Sequence, residues 1–163
     1  MKKTSIIGAL IVFGLVFVML WGRGNQRVDT PENLGAIGSM TVSERSFNFG
    51  TISMKDGLVR HRFKLTNSSD QDIFVKKIYT SCMCTNAYLE SISGRKGPFG
   101  MEGMGYIPPA NETISVGESG EVEVVFDPNA HGPAGVGVID RIISLTDTTG
   151  GVLEFEIKAV VTP

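Results

Sequence analysis

From Glu44 to Val161 the apolar positions recur at every second residue, the period of a strand with one buried face. Phe47 and Phe49 alternate with Ser46 and Asn48 as far as Gly50. Val59, His61, Phe63 and Leu65 alternate with Arg60, Arg62 and Lys64, and Val122, Val124 and Phe126 with Glu121 and Glu123. At the C-terminal end Leu153, Phe155, Ile157, Ala159 and Val161 alternate with Glu154, Glu156 and Lys158. The pattern predicts strands over 44–50, 58–66, 72–84, 113–116, 120–127, 136–146 and 151–162. Within the third, Ile73 and Val75 point one way and Ile78 the other, which predicts a bulge near Lys76-Lys77. Past it, Ile78, Thr80, Cys82 and Cys84 share a face. Turn clusters at Lys55-Asp56-Gly57, Asn67-Ser68-Ser69-Asp70 and Gly117-Glu118-Ser119 separate the strands, and a long glycine-rich loop is expected from Ser91 to Asn111. Seven short strands without a helical period predict an all-β fold, a seven-stranded Ig-like β-sandwich over residues 44–163.

The alternation is absent from the N-terminal region. Lys2 and Lys3 precede an unbroken apolar run, Ile6 to Trp21. As a helix it would span about 24 Å, a little less than the roughly 30 Å hydrocarbon core of a bilayer. No small-x-small cleavage site follows closely, because Gly22-Arg23-Gly24 carries a bulky charge at its centre, and Trp21 suits an interfacial anchor. Residues 1–22 are therefore read as one N-terminal transmembrane helix, with a cleaved signal peptide as the alternative. Either reading exports the rest of the chain. Residues 23–43, polar and glycine-rich with Pro31, read as a flexible linker. The expected location is the cell membrane, single-pass, with the C-terminal domain in the periplasm or equivalent extracytoplasmic space.

Composition narrows the chemistry. Of 163 residues, 15 are Lys or Arg and 17 Asp or Glu, a net charge of −2, so no basic footprint for nucleic acid exists. Two cysteines exclude a disulfide-stapled miniprotein and a four-thiolate zinc site. The acidic residues 121, 123, 154 and 156 read as solvated strand faces. No nucleophile-base-acid order, phosphate-cradling loop or catalytic carboxylate pair is evident, and no enzymatic activity is expected.

Four segments together carry a family resemblance: Phe47-Asn48-Phe49-Gly50, His61-Arg62-Phe63-Lys64-Leu65-Thr66-Asn67, Ser81-Cys82-Met83-Cys84-Thr85, and Val116-Gly117-Glu118-Ser119-Gly120 running into Val122-Val124-Phe126-Asp127. In this order they resemble the bacterial family called domain of unknown function 1573, itself similar to the Ig-like ASPM–Hydin type. The chain departs from that pattern in having Met83 where the family usually has Gly, and in the long loop after the cysteines. The resemblance implies an exported Ig-like fold of the kind that serves as a scaffold.

Cys82 and Cys84 are the candidate chemistry. In a strand, residues two apart put their side chains on one face, with Cα atoms at the far limit for a disulfide. The same spacing suits a soft ion that accepts two or three ligands. If connections alternate between the two ends of the sandwich, the turn holding Met54, the loop holding Met101 and Met104, and the loop holding His131 share the end at which the cysteine strand leaves. Cys82, Cys84, His131, Met101 and Met104 then form a candidate Cu(I) site. The plainer readings are thiols buried as small apolar groups, a simple disulfide, thioethers engaged in loop packing, and a solvated His131. The function expected from sequence is a membrane-tethered, extracytoplasmic Ig-like binding or scaffold module, with an unidentified envelope protein as partner. The alternatives are a Cu(I)-handling domain or a thiol-redox protein using the same cysteines.

Overall fold

Strands with one apolar face are stable only when that face is covered, and here two sheets cover each other. The computed structural model describes residues 36–163. The anchor expected over residues 1–22 and most of the linker lie outside them; among the described residues no helix is long and apolar enough to cross a membrane. The strands are β1 (Thr41–Val42), β2 (Ser46–Ser53), β3 (Val59–Thr66), β4 (Ile73–Val75), β5 (Lys77–Thr80), β6 (Thr85–Ser91), β7 (Gly94–Phe99), β8 (Glu112–Ile114), β9 (Ser119–Phe126), β10 (Gly137–Thr146) and β11 (Val152–Thr162). One sheet has the order β1-β3-β9-β6-β7, the facing sheet β2-β11-β10-β5, and β4 pairs with β8 in a small third sheet. Pairing is antiparallel except for β2, which lies parallel to β11.

The alternation places the core where it was expected. Phe63, Leu65, Val122, Val124, Leu153, Phe155, Ile157 and Ala159 are buried, and the Phe63 and Phe155 rings stack across the two sheets with centroids 4.6 Å apart. His61 lies on the inward face, stacked on Phe47 and bonded at 2.8 Å to Glu44. Packing begins ahead of residue 44: Ile37 and Met40 are buried, and the Ile37 N–H donates to Asp147 Oδ2 at 2.8 Å.

Three expectations need correction. The strand count rises from seven to eleven: β1 precedes the first expected strand, 72–84 divides into β4 and β5, and β6 and β7 follow the cysteines, so the stretch from Ser91 on is not a single loop. Residues 94–99 form β7 in a hairpin with β6, and β6 itself adds a strand between the cysteines and that hairpin. The expected strand 72–84 is broken twice. At Lys76, where a bulge was expected, the chain changes sheets instead: β4 pairs with β8, and β5 pairs with β10. It ends at Thr80, so residues 81–84 form a turn rather than a strand continuation. Glu123, finally, is not solvated. It is 4 % exposed, and Arg60, Arg62 and Arg95 close over it.

Phe155→Ala removes a ring with no exposed surface and its stacking partner contact, so it should cost about 3–5 kcal/mol of unfolding free energy. Denaturant titration checks this; a loss below ~1 kcal/mol would contradict the inward register of β11.

Candidate metal centre

The turn at residues 81–84 carries the chain from the four-stranded sheet to the five-stranded one, since β5 pairs with β10 and β6 with β9. Its backbone groups, lacking ladder partners, are met individually. The Ser81 N–H donates to the Ile142 carbonyl and the Ile142 N–H to Ser81 Oγ, each at 2.9 Å. Thr85 N–H donates to the Cys82 carbonyl at 3.1 Å, closing a β-turn. The buried Thr80 hydroxyl lies 3.0 Å from both the Cys82 and the Thr85 carbonyls. Position 83 does not have a positive φ, so the turn accepts Met83 in place of glycine.

A second segment meets this turn. Asp127 N–H donates to the Cys84 carbonyl at 2.8 Å, and Asp127 Oδ1 accepts from Asn129 N–H at 2.8 Å, which starts the loop that turns through His131. Asn129 Nδ2 donates to the Met54 carbonyl at 2.7 Å, so the turn at Met54 and the loop at His131 do share one end of the sandwich. Gly135 packs against this loop; a Cβ there would lie 3.3 Å from the His131 Cβ.

The result is a cluster of three donors. Cys82 Sγ and Cys84 Sγ are 2.6 Å apart, and His131 Nε2 lies 3.2 Å from Cys82 Sγ. All three ligand atoms fall within 4.8 Å of one another. Both cysteines are free thiols, Cys84 2 % exposed and Cys82 half-buried. The thioethers are placed differently. Met101 forms a backbone bridge with Thr80, two residues before Cys82, whereas the Met104 side chain is 59 % exposed on the loop surface.

Sequence reasoning missed Arg141. Its Nε donates to Cys84 Sγ at 3.2 Å and its Nη1 to the Asp140 carbonyl at 2.8 Å. The signal was present: Ile139, Ile143 and Leu145 define the inward face of β10, and Arg141 occupies the same parity. An inward guanidinium requires an anion. The thiols supply one. Burial pushes the Cys82 thiol up, but hydrogen bonds from Cys84 and His131 and the charge of Arg141 outweigh it and bring Cys82 down to about 7. Burial and the neighbouring Cys82 push Cys84 up, against the opposing hydrogen bond from Arg141. The two thiols thus divide into an ionisable, accessible one and a buried one that shares its proton.

No curated protein sequence matches the chain. A solved structure of a protein of unknown function from Porphyromonas gingivalis W83 superposes with a TM-score of 0.52 at 15 % identity, over 74 % of this chain and 46 % of that one. This is a likeness of fold. The secreted serine protease VesC from Vibrio cholerae (TM-score 0.49, 12 % identity, 77 % of this chain and 24 % of that one) also aligns. So does the CooA pilin subunit from enterotoxigenic Escherichia coli (0.39, 14 %, 77 % and 99 %). This chain therefore spans less than half the length of the first two. The match at the level of sequence runs from β1 to the penultimate residue of β7 and includes both cysteines: residues 40–98 fit the family described as protein of unknown function, DUF1573.

Proposed function

We propose that the chain is a membrane-tethered, extracytoplasmic Ig-like binding module, without enzymatic activity, that holds one Cu(I) ion between Cys82, Cys84 and His131. The observation that carries this reading is the convergence of two thiols and an imidazole from segments 49 positions apart, with His131 Nε2 at 3.2 Å from Cys82 Sγ. Two soft thiolates and one borderline nitrogen match the ligand preference of Cu(I), which is satisfied by two or three donors. Zn(II) prefers four, and among the described residues no carboxylate joins the group. The apolar run 6–21, with Lys2 and Lys3 before it, supports a tether with the domain outside the cytoplasm. The outer strands β1 and β7 of the five-stranded sheet offer a partner strand unpaired backbone groups, the usual way a sandwich of this kind recognises an envelope protein.

A second reading, thiol–disulfide exchange, draws on the Cys82 thiol at about 7 and on the nearness of Cys84 as resolving thiol. Against it, dithiol catalysts place their nucleophile at a helix N-terminus, whereas this pair sits in a turn between strands.

Anaerobic titration of the reduced protein with Cu(I), read by mass spectrometry and thiol counting, decides between them. One ion per chain with both thiols protected is expected. Cys82→Ser and Cys84→Ser should each abolish tight binding, and His131→Ala should weaken it. Met101→Leu and Met104→Leu should have only small effects, because three donors already satisfy the ion. Bound metal should raise the melting point, the folded state gaining roughly 4 kcal/mol at a thousandfold excess over Kd. Thiols that stay reactive with Cu(I) present would sink the metal reading.

In the metal-free, reduced protein, one thiol should alkylate with a midpoint near pH 7, faster as pH rises and the Cys82 thiolate forms. A single midpoint in the ordinary range of a free thiol would contradict the electrostatic description of the turn. For the tether, protease added outside spheroplasts should digest the domain, and the protein should remain with membranes in carbonate. A soluble form with a new amino terminus near Gly24 would show a cleaved signal instead.

A further inference from the structure

We infer that Arg141 sets the charge of the ion this centre accepts, selecting a soft monovalent cation over a divalent one. The inference rests on the metal reading above and adds to it a residue that is not a ligand.

Arg141 lies on β10 opposite Ile157 of β11, on the face that also carries Ile139 and Ile143. Among the described residues no carboxylate pairs with it, and the neighbouring Asp140 is engaged by Lys158 instead. Three other arginines give the contrast: Arg60, Arg62 and Arg95 all meet glutamates on the outer face of the five-stranded sheet. Arg141 alone among these arginines is turned inward, and the group it addresses is a sulfur, Cys84 Sγ at 3.2 Å from its Nε. The guanidinium is permanently charged and holds that direction through its second bond, to the Asp140 carbonyl.

The charges then close in one way only. Two thiolates and one guanidinium sum to a single negative charge. A monovalent ion makes the cluster neutral, whereas a divalent ion leaves it positive. Around a buried sulfur, with water largely excluded on the Cys84 side, that residual charge is costly. Deprotonating the thiols costs the same whichever metal follows, so it cancels from the ratio of two metal affinities. Cu(I) and Zn(II) both have filled d shells, so the ratio reads charge and coordination number with no d-electron preference for geometry.

The experiment measures Cu(I) and Zn(II) affinities by competition with chromophoric chelators. It uses the full-length reduced chain in non-ionic detergent without oxygen, as wild type, Arg141→Gln and Arg141→Lys. Glutamine keeps a hydrogen-bond donor in the same space without the charge, and lysine keeps the charge without the planar fork. The Cu(I)-to-Zn(II) preference should fall about tenfold or more in R141Q and stay within about threefold of wild type in R141K. If wild type binds Cu(I) but the R141Q preference is unchanged, or if R141K loses it equally, Arg141 does not select by charge and the inference falls while the site stands. If wild type binds no Cu(I), the metal reading itself falls. Should R141Q fold poorly, R141K against wild type still decides, since a preference lost with the charge retained would overturn the inference.

Discussion

A chain that builds two facing sheets must cross between them, and every crossing takes backbone groups out of their ladders. Here the crossing at residues 81–84 is short, and its polar groups are satisfied by specific partners. Ser81 exchanges hydrogen bonds with Ile142, the Thr80 hydroxyl reaches back over the turn, and Asp127 N–H holds the Cys84 carbonyl. The direction of each cysteine follows from those bonds. Had the strand run on to residue 84, the two thiols would have stood together on one face of it. The turn instead brings Cys82 to the surface beside His131 and sends Cys84 inward to Arg141. The chemistry of the cluster is thus a by-product of how the fold changes sheets.

The same crossing explains why the electrostatics are lopsided. Burial and the neighbouring Cys82 hold the proton on Cys84, and only the hydrogen bond from a guanidinium at a core-facing position on β10 pulls the other way. Arg141 has the mirror-image difficulty, because burial disfavours its charge and the thiols favour it. The thiols in turn offset the desolvation of the guanidinium, so removing them would leave Arg141 less well compensated. Cys82, at the rim, gains the benefit without the full desolvation cost and is the thiol that ionises near neutrality.

Much of this fold was legible because the period-two alternation is strong. β3, β9 and β11 pair as their patterns require, and Phe63, Phe126 and Phe155 are buried where the alternation placed them. What failed was local. Gly94, Gly97 and Pro98 look like loop residues, yet β7 is an edge strand, where proline and positive-φ glycines are tolerated because one side of the backbone is unpaired. The break at Lys76 was visible as a parity slip, but a slip does not say whether a strand bulges or changes sheet. That choice depends on β8 and β10, which are distant in sequence. For the cluster, the shared end of Met54, His131 and the cysteines followed from topology alone. Arg141 needed one further step, asking what charge an inward arginine answers.

The nearness of the two sulfurs has a mechanical consequence. Thiolates sharing one ion at about 2.3 Å each stand farther apart than the 2.6 Å seen here, so one sulfur has to swing away for an ion to sit between them. Cys84 is the poor candidate: it is 2 % exposed, hydrogen-bonded by Arg141 and in contact with Thr85 Oγ1 at 3.7 Å. Cys82 is half-buried, and its Sγ also meets His131, which sits on an exposed loop at the rim. Rotation about the Cys82 χ1 bond is the motion that changes the spacing on the side where His131 is. The site divides into a fixed inner half, Cys84 with Arg141, and an adjustable outer half, Cys82 with His131. An ion that tolerates bent two- or three-fold coordination fits such a division better than one that demands four ligands in a rigid tetrahedron.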